Sequence, residues 1–197
     1  MLLMGISGPN GAGKSTMAYR LSAACPEVQP LAWGHNLKPN TASHYPHIDP
    51  AEFGWKGEGN WKSPPGEWVG QWDGPKTPRG REILKREGDR LRKNDPKQWL
   101  WLVEKHLRPT GVHIIHDVRT LIEINWLTRM GGKLFILGVE DDRLTDNSPT
   151  ETEWRAYAFA HKLPSHTRES LWQELSTLLR SHQYKVEENV SPNTSGT

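Results

Sequence analysis

Eight residues near the start of the chain have the types and spacing that bind a phosphate group. The segment 8–15 reads Gly-Pro-Asn-Gly-Ala-Gly-Lys-Ser and satisfies the pattern G-x-x-x-x-G-K-[S/T]. Its glycines allow the backbone to curl so that successive N–H groups point into one concavity. The helix predicted over 14–24, which starts within this segment, would aim its positive end at the same place. We therefore expect a nucleotide-phosphate site at Gly8, Asn10, Gly11, Ala12, Gly13, Lys14, Ser15 and Thr16.

Three polar side chains are suited to complete this site. Lys14 can reach the β- and γ-phosphates of a bound nucleotide, and the Ser15 hydroxyl can ligate Mg²⁺. Asp117 comes at the end of the apolar run 112–115, where an acid can hold Mg²⁺ or its waters. The same residue could instead cap a helix that starts near Thr120, so both roles stay open. ATP and Mg²⁺ are the ligands expected here.

Arginines could supply the positive charge that phosphoryl transfer needs on the acceptor phosphate and the transition state. Arg119 follows the strand 112–115 closely, and ligands bind at the carboxyl ends of such strands. Arg79 is fixed at a predicted helix start by the preceding Thr77-Pro78. Arg86 and Arg92 on the same helix are further substrate-binding candidates, with an ordinary surface charge as the alternative for each.

A second group of basic residues surrounds a candidate lid. Arg143 and Arg155 bracket the segment 141–152, and either could close over ATP. Arg143 is the one that we assign to ATP binding.

The elements that must position these residues alternate between strands and helices. Short apolar runs predict buried parallel strands at 2–7, 31–33, 112–115 and 133–139. Cap signals and apolar spacing predict helices at 14–24, 79–93, after Asp95-Pro96, and at 120–130, 150–162 and 167–182. This alternation indicates an α/β domain with a parallel sheet flanked by helices. We expect one domain over 1–186, followed by a polar tail over 187–197.

The stretch 33–75 differs from the rest of the chain. It holds five tryptophans and many Gly and Pro, without a sustained period of 2 or 3.6. We expect an ordered, irregular flap inserted in the domain, because so many aromatic residues argue against disorder. The tryptophans could stack on a base or pack on one another as a small core, and the sequence leaves both open. Trp33, Lys38 and the later Trp99 are the substrate-binding candidates in or near this flap.

Composition excludes several other classes of protein. The chain has 197 residues, a formal net charge of +2 and one cysteine, so an internal disulfide and a zinc cluster of cysteines are excluded. No apolar run approaches the roughly 20 residues that cross a bilayer, and the N-terminus lacks the features of a signal peptide. The His44/His47 and His113/His116 pairs have no well-spaced third ligand. We expect a cytoplasmic protein with no membrane partner.

Charge is unevenly distributed. Eleven Lys and Arg stand against five Asp and Glu over 76–108, whereas 33–75 has an excess of two acids. A concentrated basic stretch suits an anionic ligand, either a nucleotide phosphate or a nucleic-acid backbone. A solvated helix face would give the same pattern.

Together these segments resemble the bacteriophage-type deoxynucleoside monophosphate kinases, a branch of the P-loop kinases. The similar stretches are 5–16, Lys-Thr-Pro-Arg at 76–79, Asp95-x-x-x-Trp99, Asp117-Val118-Arg119 with Glu123, and Asp146-x-x-Pro149-x-Glu151. The resemblance implies a five-stranded sheet of the P-loop NTPase type, Mg-ATP as phosphoryl donor and a nucleoside monophosphate as acceptor. It also implies that Arg79 and Arg119 serve the acceptor phosphate and the transferring group, with Glu123 near the same site.

Two departures from that family leave the acceptor open. Gly88-Asp89-Arg90 stands where the family has Gly-Thr-Glu, and the Trp-rich stretch replaces most of its nucleoside-binding region. The alternative is a kinase that phosphorylates the hydroxymethyl group of 5-hydroxymethyluracil in DNA, with Asp117 or Glu123 as the base. DNA binding through 76–92 would then be salt-sensitive. If the chain is phage-encoded, its compartment is the cytoplasm of the bacterial host.

The phosphate-loop sequence also resembles that of transporter-type ATPases, but the Leu-Ser-Gly-Gly-Gln signature of those proteins is missing from this chain. The oligomeric state is undecided, and a homodimer remains one of the options.

Overall fold

A computed structural model describes residues 1–35, 37–57, 72, 74–138 and 149–187. The chain divides into two compact units, the first formed by Met1–Ala32 with Leu107–Thr197 and the second by Trp33–His106. The helices, in chain order, are α1 Lys14–Ala24, α2 Leu37–His44, α3 Pro78–Asn94, α4 Gln98–Glu104, α5 Leu121–Arg129, α6 Pro149–Ala160 and α7 Arg168–Ser181. Two short 3-10 helices, Trp33–His35 and Pro50–Phe53, lie in the second unit.

The first unit contains a five-stranded parallel sheet. Its strands are β1 Leu2–Ser7, β2 Val28–Leu31, β3 Val112–Ile115, β4 Lys133–Leu137 and β5 Ser165–His166, in the order β2-β3-β1-β4-β5. In the central strand β1, Met4 pairs with Ile114 of β3 and with Lys133 of β4. The predicted α/β class with a parallel sheet flanked by helices is therefore confirmed.

Helices cover the two faces of this sheet. The connection from β1 to β2 and the connection from β3 to β4 run in opposite directions along the sheet. Because crossovers between parallel strands are right-handed, α1 and α5 lie on opposite faces. On the α1 face, buried side chains of the strands pack with α1 and α7. On the other face Gly5 lies under α5, where a Cβ would come within 2.5 Å of a Leu127 methyl group. The close approach of α5 to the sheet thus depends on this glycine.

The second unit has its own apolar core. It is formed by Ala42, Ile48, Phe53, Trp72, Ile83 and Leu84. This unit begins at Trp33, where we expected the flap to begin, but it continues through α3 and α4 to His106. The reason is that α2 and the 3-10 helix Pro50–Phe53 both pack against α3.

Three expected elements differ from the structure. The stretch 33–75 is not wholly irregular, since it contains α2; Pro39 is tolerated there because it lies in the first turn of the helix. The strand expected at 31–33 is found at Val28–Leu31, and Trp33 belongs to a 3-10 helix. The helix expected to open with Asp95 as its cap and Pro96 as its first residue instead starts at Gln98, because Asp95 first closes a turn by accepting the Lys97 N–H at 2.9 Å.

None of the helices described, over 1–35, 37–57, 74–138 and 149–187, is both long and apolar enough to span a bilayer.

Candidate functional site

The Gly-rich segment 8–15 connects β1 to α1. Three of its residues, Gly8, Gly11 and Gly13, have φ angles of 140°, 81° and 101°, a region that side chains of L-residues rarely adopt. Gly13 is the N-cap of α1, and no side chain caps the first turn. The N–H groups at this helix start therefore face the curled loop, which is the arrangement that suits an anion.

Neighbouring elements hold the loop closely. A Cβ on Gly8 would overlap the backbone carbonyl oxygen of Leu137, at the end of β4. A Cβ on Gly13 would come within 2.7 Å of Arg168 Nε. Gly8 is thus required by packing as well as by backbone conformation, whereas at Gly13 the Arg168 side chain can move and the φ of 101° is the main requirement.

The Lys14 side chain folds back over the same loop. It is only 7% exposed, and its Nζ donates hydrogen bonds to the carbonyl oxygens of Gly8 and Pro9, both at 2.7 Å. The ammonium group is therefore held in place beside the loop. A phosphate in the loop would meet a positioned positive charge.

Ser15 contacts the end of β3. Its Oγ lies 3.1 Å from His116 Nδ1, and His116 directly precedes Asp117. The two residues predicted to hold Mg²⁺ thus lie at the same edge of the sheet. A hydroxyl and a carboxylate are hard oxygen ligands that fit Mg²⁺, which takes one or two carboxylates together with waters and substrate phosphates.

A dedicated metal cluster is not found in the described parts of the chain, where no group of three or more His, Cys, Asp or Glu side chains could hold an ion.

Arg119 is fixed at the tip of the loop. Its Nη2 donates to Asn10 Oδ1 at 2.8 Å. The buried Glu123 carboxylate accepts the backbone N–H groups of Arg119 at 2.7 Å and Thr120 at 3.0 Å. Glu123 therefore positions the backbone that carries Arg119.

The N-cap of α5 is Thr120. Its side chain and Glu123 form a reciprocal capping box. Thr120 therefore caps α5, so the capping role considered for Asp117 is already filled by another residue.

Sequence reasoning missed two residues at this site. Arg168, at the start of α7, donates from Nε to the Ala12 carbonyl at 2.9 Å and from Nη2 to the Gly11 carbonyl at 3.5 Å. No motif marks Arg168, although it lies at the start of the helix predicted over 167–182. In the sequence, His116 stands out only as half of the pair His113/His116, and its neighbour Asp117 is the one signal that it lies near a site.

Other predicted site residues lie in the second unit. Arg79 Nη1 lies 3.6 Å from Glu52 Oε1, and Thr77 caps α3 by accepting the Gly80 N–H at 3.0 Å. The predicted cap-and-Pro start of α3 is thus confirmed. Lys38 Nζ donates to the backbone carbonyl of Trp72, so this lysine links α2 to the tryptophan.

The exposed face of α3 carries an ordered set of arginines. Arg86 Nη2 donates to the Tyr45 hydroxyl at 3.0 Å, and this bond raises the pKa of the Arg86 guanidinium. Arg90 pairs with the buried Glu87 at 2.9 Å, and Tyr45 also donates to Glu87 at 3.0 Å. Burial raises the pKa of the Glu87 carboxyl, but these hydrogen bonds outweigh burial and leave the pKa below its ordinary value. Arg92 lies 5.6 Å from the Trp99 ring centre.

The described tryptophans of this unit are largely packed inside it. Trp33, Trp72 and Trp99 are each 2% exposed, and Trp55 lies 5.1 Å from Trp72 between ring centres. Buried rings leave no face free for a base, so at these positions the packing favours the small core over base stacking. Trp61 and Trp68, together with Arg143 and the lid segment 141–148, lie outside the described residues.

No protein-family model matches this sequence, and no curated protein matches it significantly. Function must therefore be inferred from the residues themselves and from their geometry.

Proposed function

We propose that the protein is an ATP-dependent phosphotransferase of the P-loop type that converts a deoxynucleoside monophosphate to the diphosphate. The observation that carries the proposal is the Gly-rich segment 8–15. It joins left-handed glycines, an uncapped helix start and a buried lysine amine at one point of the sheet. These are the groups that hold the phosphates of a nucleotide.

In the reaction, an oxygen of the acceptor phosphate attacks the γ-phosphorus of ATP, the bond to the β,γ-bridging oxygen breaks, and ADP leaves. A phosphate oxyanion is already nucleophilic, so the protein needs no general base. Lys14 and the loop amides hold the β- and γ-phosphates in line for the attack. Mg²⁺, held by Ser15 and Asp117, would supply neutralisation of the phosphate charge.

Arg119 is the residue best placed to stabilise the transferring group. Its guanidinium contacts Asn10 within the loop, and Glu123 fixes its backbone. Positive charge that is already oriented costs little reorganisation when the transition state forms. Arg79, whose side chain is largely exposed in the second unit, would bind the acceptor phosphate, as the resemblance of 76–79 implies.

A hydroxymethyl group in DNA is the second candidate acceptor. One observation favours it: Trp101 on α4 is 57% exposed, and Lys105 Nζ lies 3.3 Å from its ring centre. The Lys105 ammonium covers one face of this exposed ring, so a base would have to stack on the other face, while the basic stretch 76–108 suits phosphate contacts with a nucleic acid.

Label transfer distinguishes the two acceptors. The protein is given Mg²⁺ and [γ-³²P]ATP with each dNMP in turn, then with plain DNA and with DNA that contains 5-hydroxymethyluracil. We expect label in a dNDP, and loss of that product in Lys14→Ala but not in the surface control Lys185→Ala. Label found only in the modified DNA would replace the dNMP proposal with the second candidate. ATP hydrolysis without any labelled acceptor would refute both.

A further inference from the structure

We infer that His116 is a positioning residue for the Mg²⁺ ligand Ser15, and this inference rests on the proposed function. The two side chains contact each other, with Ser15 Oγ 3.1 Å from His116 Nδ1. His116 comes from the end of β3, whereas Ser15 lies in the first turn of α1. The contact therefore ties the metal ligand to the sheet.

The chemistry of a hydroxyl gives this contact its importance. Serine has one hydrogen to donate and two oxygen lone pairs to offer. When His116 Nδ1 accepts that hydrogen, the lone pairs point away from the imidazole and are available to a cation. Without an acceptor, the hydroxyl is free to rotate its hydrogen toward the metal.

The surroundings of His116 hold the ring in one orientation. Its side chain is only 4% exposed, and its backbone N–H donates to the Leu31 carbonyl at 3.0 Å. The Tyr19 ring lies 5.6 Å away between ring centres, tilted by 52°. A buried, packed imidazole stays beside the Ser15 hydroxyl, whereas a water molecule in its place could exchange with solvent. Partners of this kind typically change metal affinity by about 10- to 100-fold when removed.

The test is the Mg²⁺ dependence of ATP binding, measured by calorimetry without turnover. ATP affinity is determined in EDTA and over a series of free Mg²⁺ concentrations. Mg²⁺ is expected to raise the affinity for ATP, and the midpoint is the free Mg²⁺ concentration that gives half of this rise. For His116→Leu, we expect the midpoint to increase by about 10- to 100-fold. The affinity for ATP in EDTA should stay within about twofold of wild type. In His116→Asn the amide oxygen can replace Nδ1, and we expect most of the effect to be restored.

Three further variants separate positioning from packing. In a protein that already carries Ser15→Ala, the addition of His116→Leu should leave the Mg²⁺ dependence of ATP binding unchanged, because His116 acts only through the Ser15 hydroxyl. His113→Asn is the matched control: it alters another buried histidine of β3, whose ring contacts the Arg108 backbone instead. Its Mg²⁺ dependence should equal that of wild type. Thermal unfolding of every variant shows which ones keep the fold.

The outcomes separate this inference from the proposed function. If wild type binds ATP with a normal Mg²⁺ response and folded His116→Leu does the same, the inference is wrong while the proposed function stands. Equal defects in His116→Asn and His116→Leu, or an undiminished effect in the Ser15→Ala background, would also overturn it. If wild type binds no ATP at any Mg²⁺ concentration, the proposed function fails and this inference fails with it.

Discussion

Replacement of Gly8 by alanine tests how tightly the phosphate-binding loop is held. Gly8 has a φ of 140°, and an added Cβ would overlap the Leu137 carbonyl oxygen, a backbone atom that cannot rotate away. A backbone conformation this rarely populated costs an L-residue about 1–3 kcal/mol, and forcing atoms into a packed site costs about 1–3 kcal/mol more. We therefore expect Gly8→Ala to lower the free energy of unfolding by about 2–6 kcal/mol.

Gly11→Ala is the matched control within the same loop. Gly11 has a φ of 81°, but no atom lies within 4 Å of the position that its Cβ would take. Only the backbone cost of about 1–2 kcal/mol then applies. Gly8→Ala should therefore lose more stability than Gly11→Ala, by at least the steric part of about 1–3 kcal/mol.

Urea denaturation followed by circular dichroism measures both variants. The slope of the free energy against urea should stay unchanged, so that the shift in midpoint reports stability. Equal losses for Gly8→Ala and Gly11→Ala would show that Gly8 is not clamped against β4, and the loop geometry proposed here would be refuted.

Three further predictions concern other contacts. Thr120→Ala should lower the free energy of unfolding by about 0.5–2 kcal/mol in urea denaturation, because it removes the cap of α5; an unchanged stability would contradict the capping box. Arg168→Ala should weaken ATP binding by about 3- to 10-fold in calorimetry, because one hydrogen bond that supports the loop is typically worth 0.5–1.5 kcal/mol; unchanged affinity would show that the loop does not need this support. The pKa of Glu87 is below its ordinary value of 4.5, so its contribution is present above pH 4.5 and lost as the pH falls through the folded-state pKa. The stability difference between wild type and Glu87→Gln should therefore shrink as the pH falls below 4.5, and a difference that stays constant from pH 7 to pH 3 would contradict this.

The sequence predicted most of the sheet because its long strands are apolar and are followed by clear helix signals. The strands at 2–7 and 112–115 have the predicted limits, and the strand predicted at 133–139 ends at Leu137. Strand β5 has two residues, Ser165–His166, which is too short to form a pattern. Its existence depends on pairing with β4, a tertiary contact that no local signal contains.

The second unit was harder to predict because its structure depends on packing. Helix α2 contains Pro39 and buries only Pro39, Thr41 and Ala42, so it has no apolar stripe. What holds it is its contact with α3. Tryptophan content alone could not distinguish a base-stacking surface from a core, whereas the burial of Trp33 and Trp72 does so at those positions.

At the site, the motif located the loop but not all its partners. Lys14, Ser15 and the glycines were recognised because their spacing is fixed by local chain geometry. His116 and Arg168 reach the loop from β3 and from the start of α7, so only the fold reveals them. Asp117 had two possible roles in the sequence, and the observed cap at Thr120 removes one of them.

The central claim is that the segment 8–15 binds the phosphates of a nucleotide, and amide chemical shifts in solution test it most directly. Two-dimensional ¹H–¹⁵N NMR spectra of the assigned protein are compared before and after addition of Mg-ADP. We predict that the largest shifts occur at the amides of Gly11, Gly13, Lys14 and Ser15, and that Lys14→Ala weakens this response. Largest shifts at amides remote from this loop, or no shifts at millimolar nucleotide, would contradict the claim.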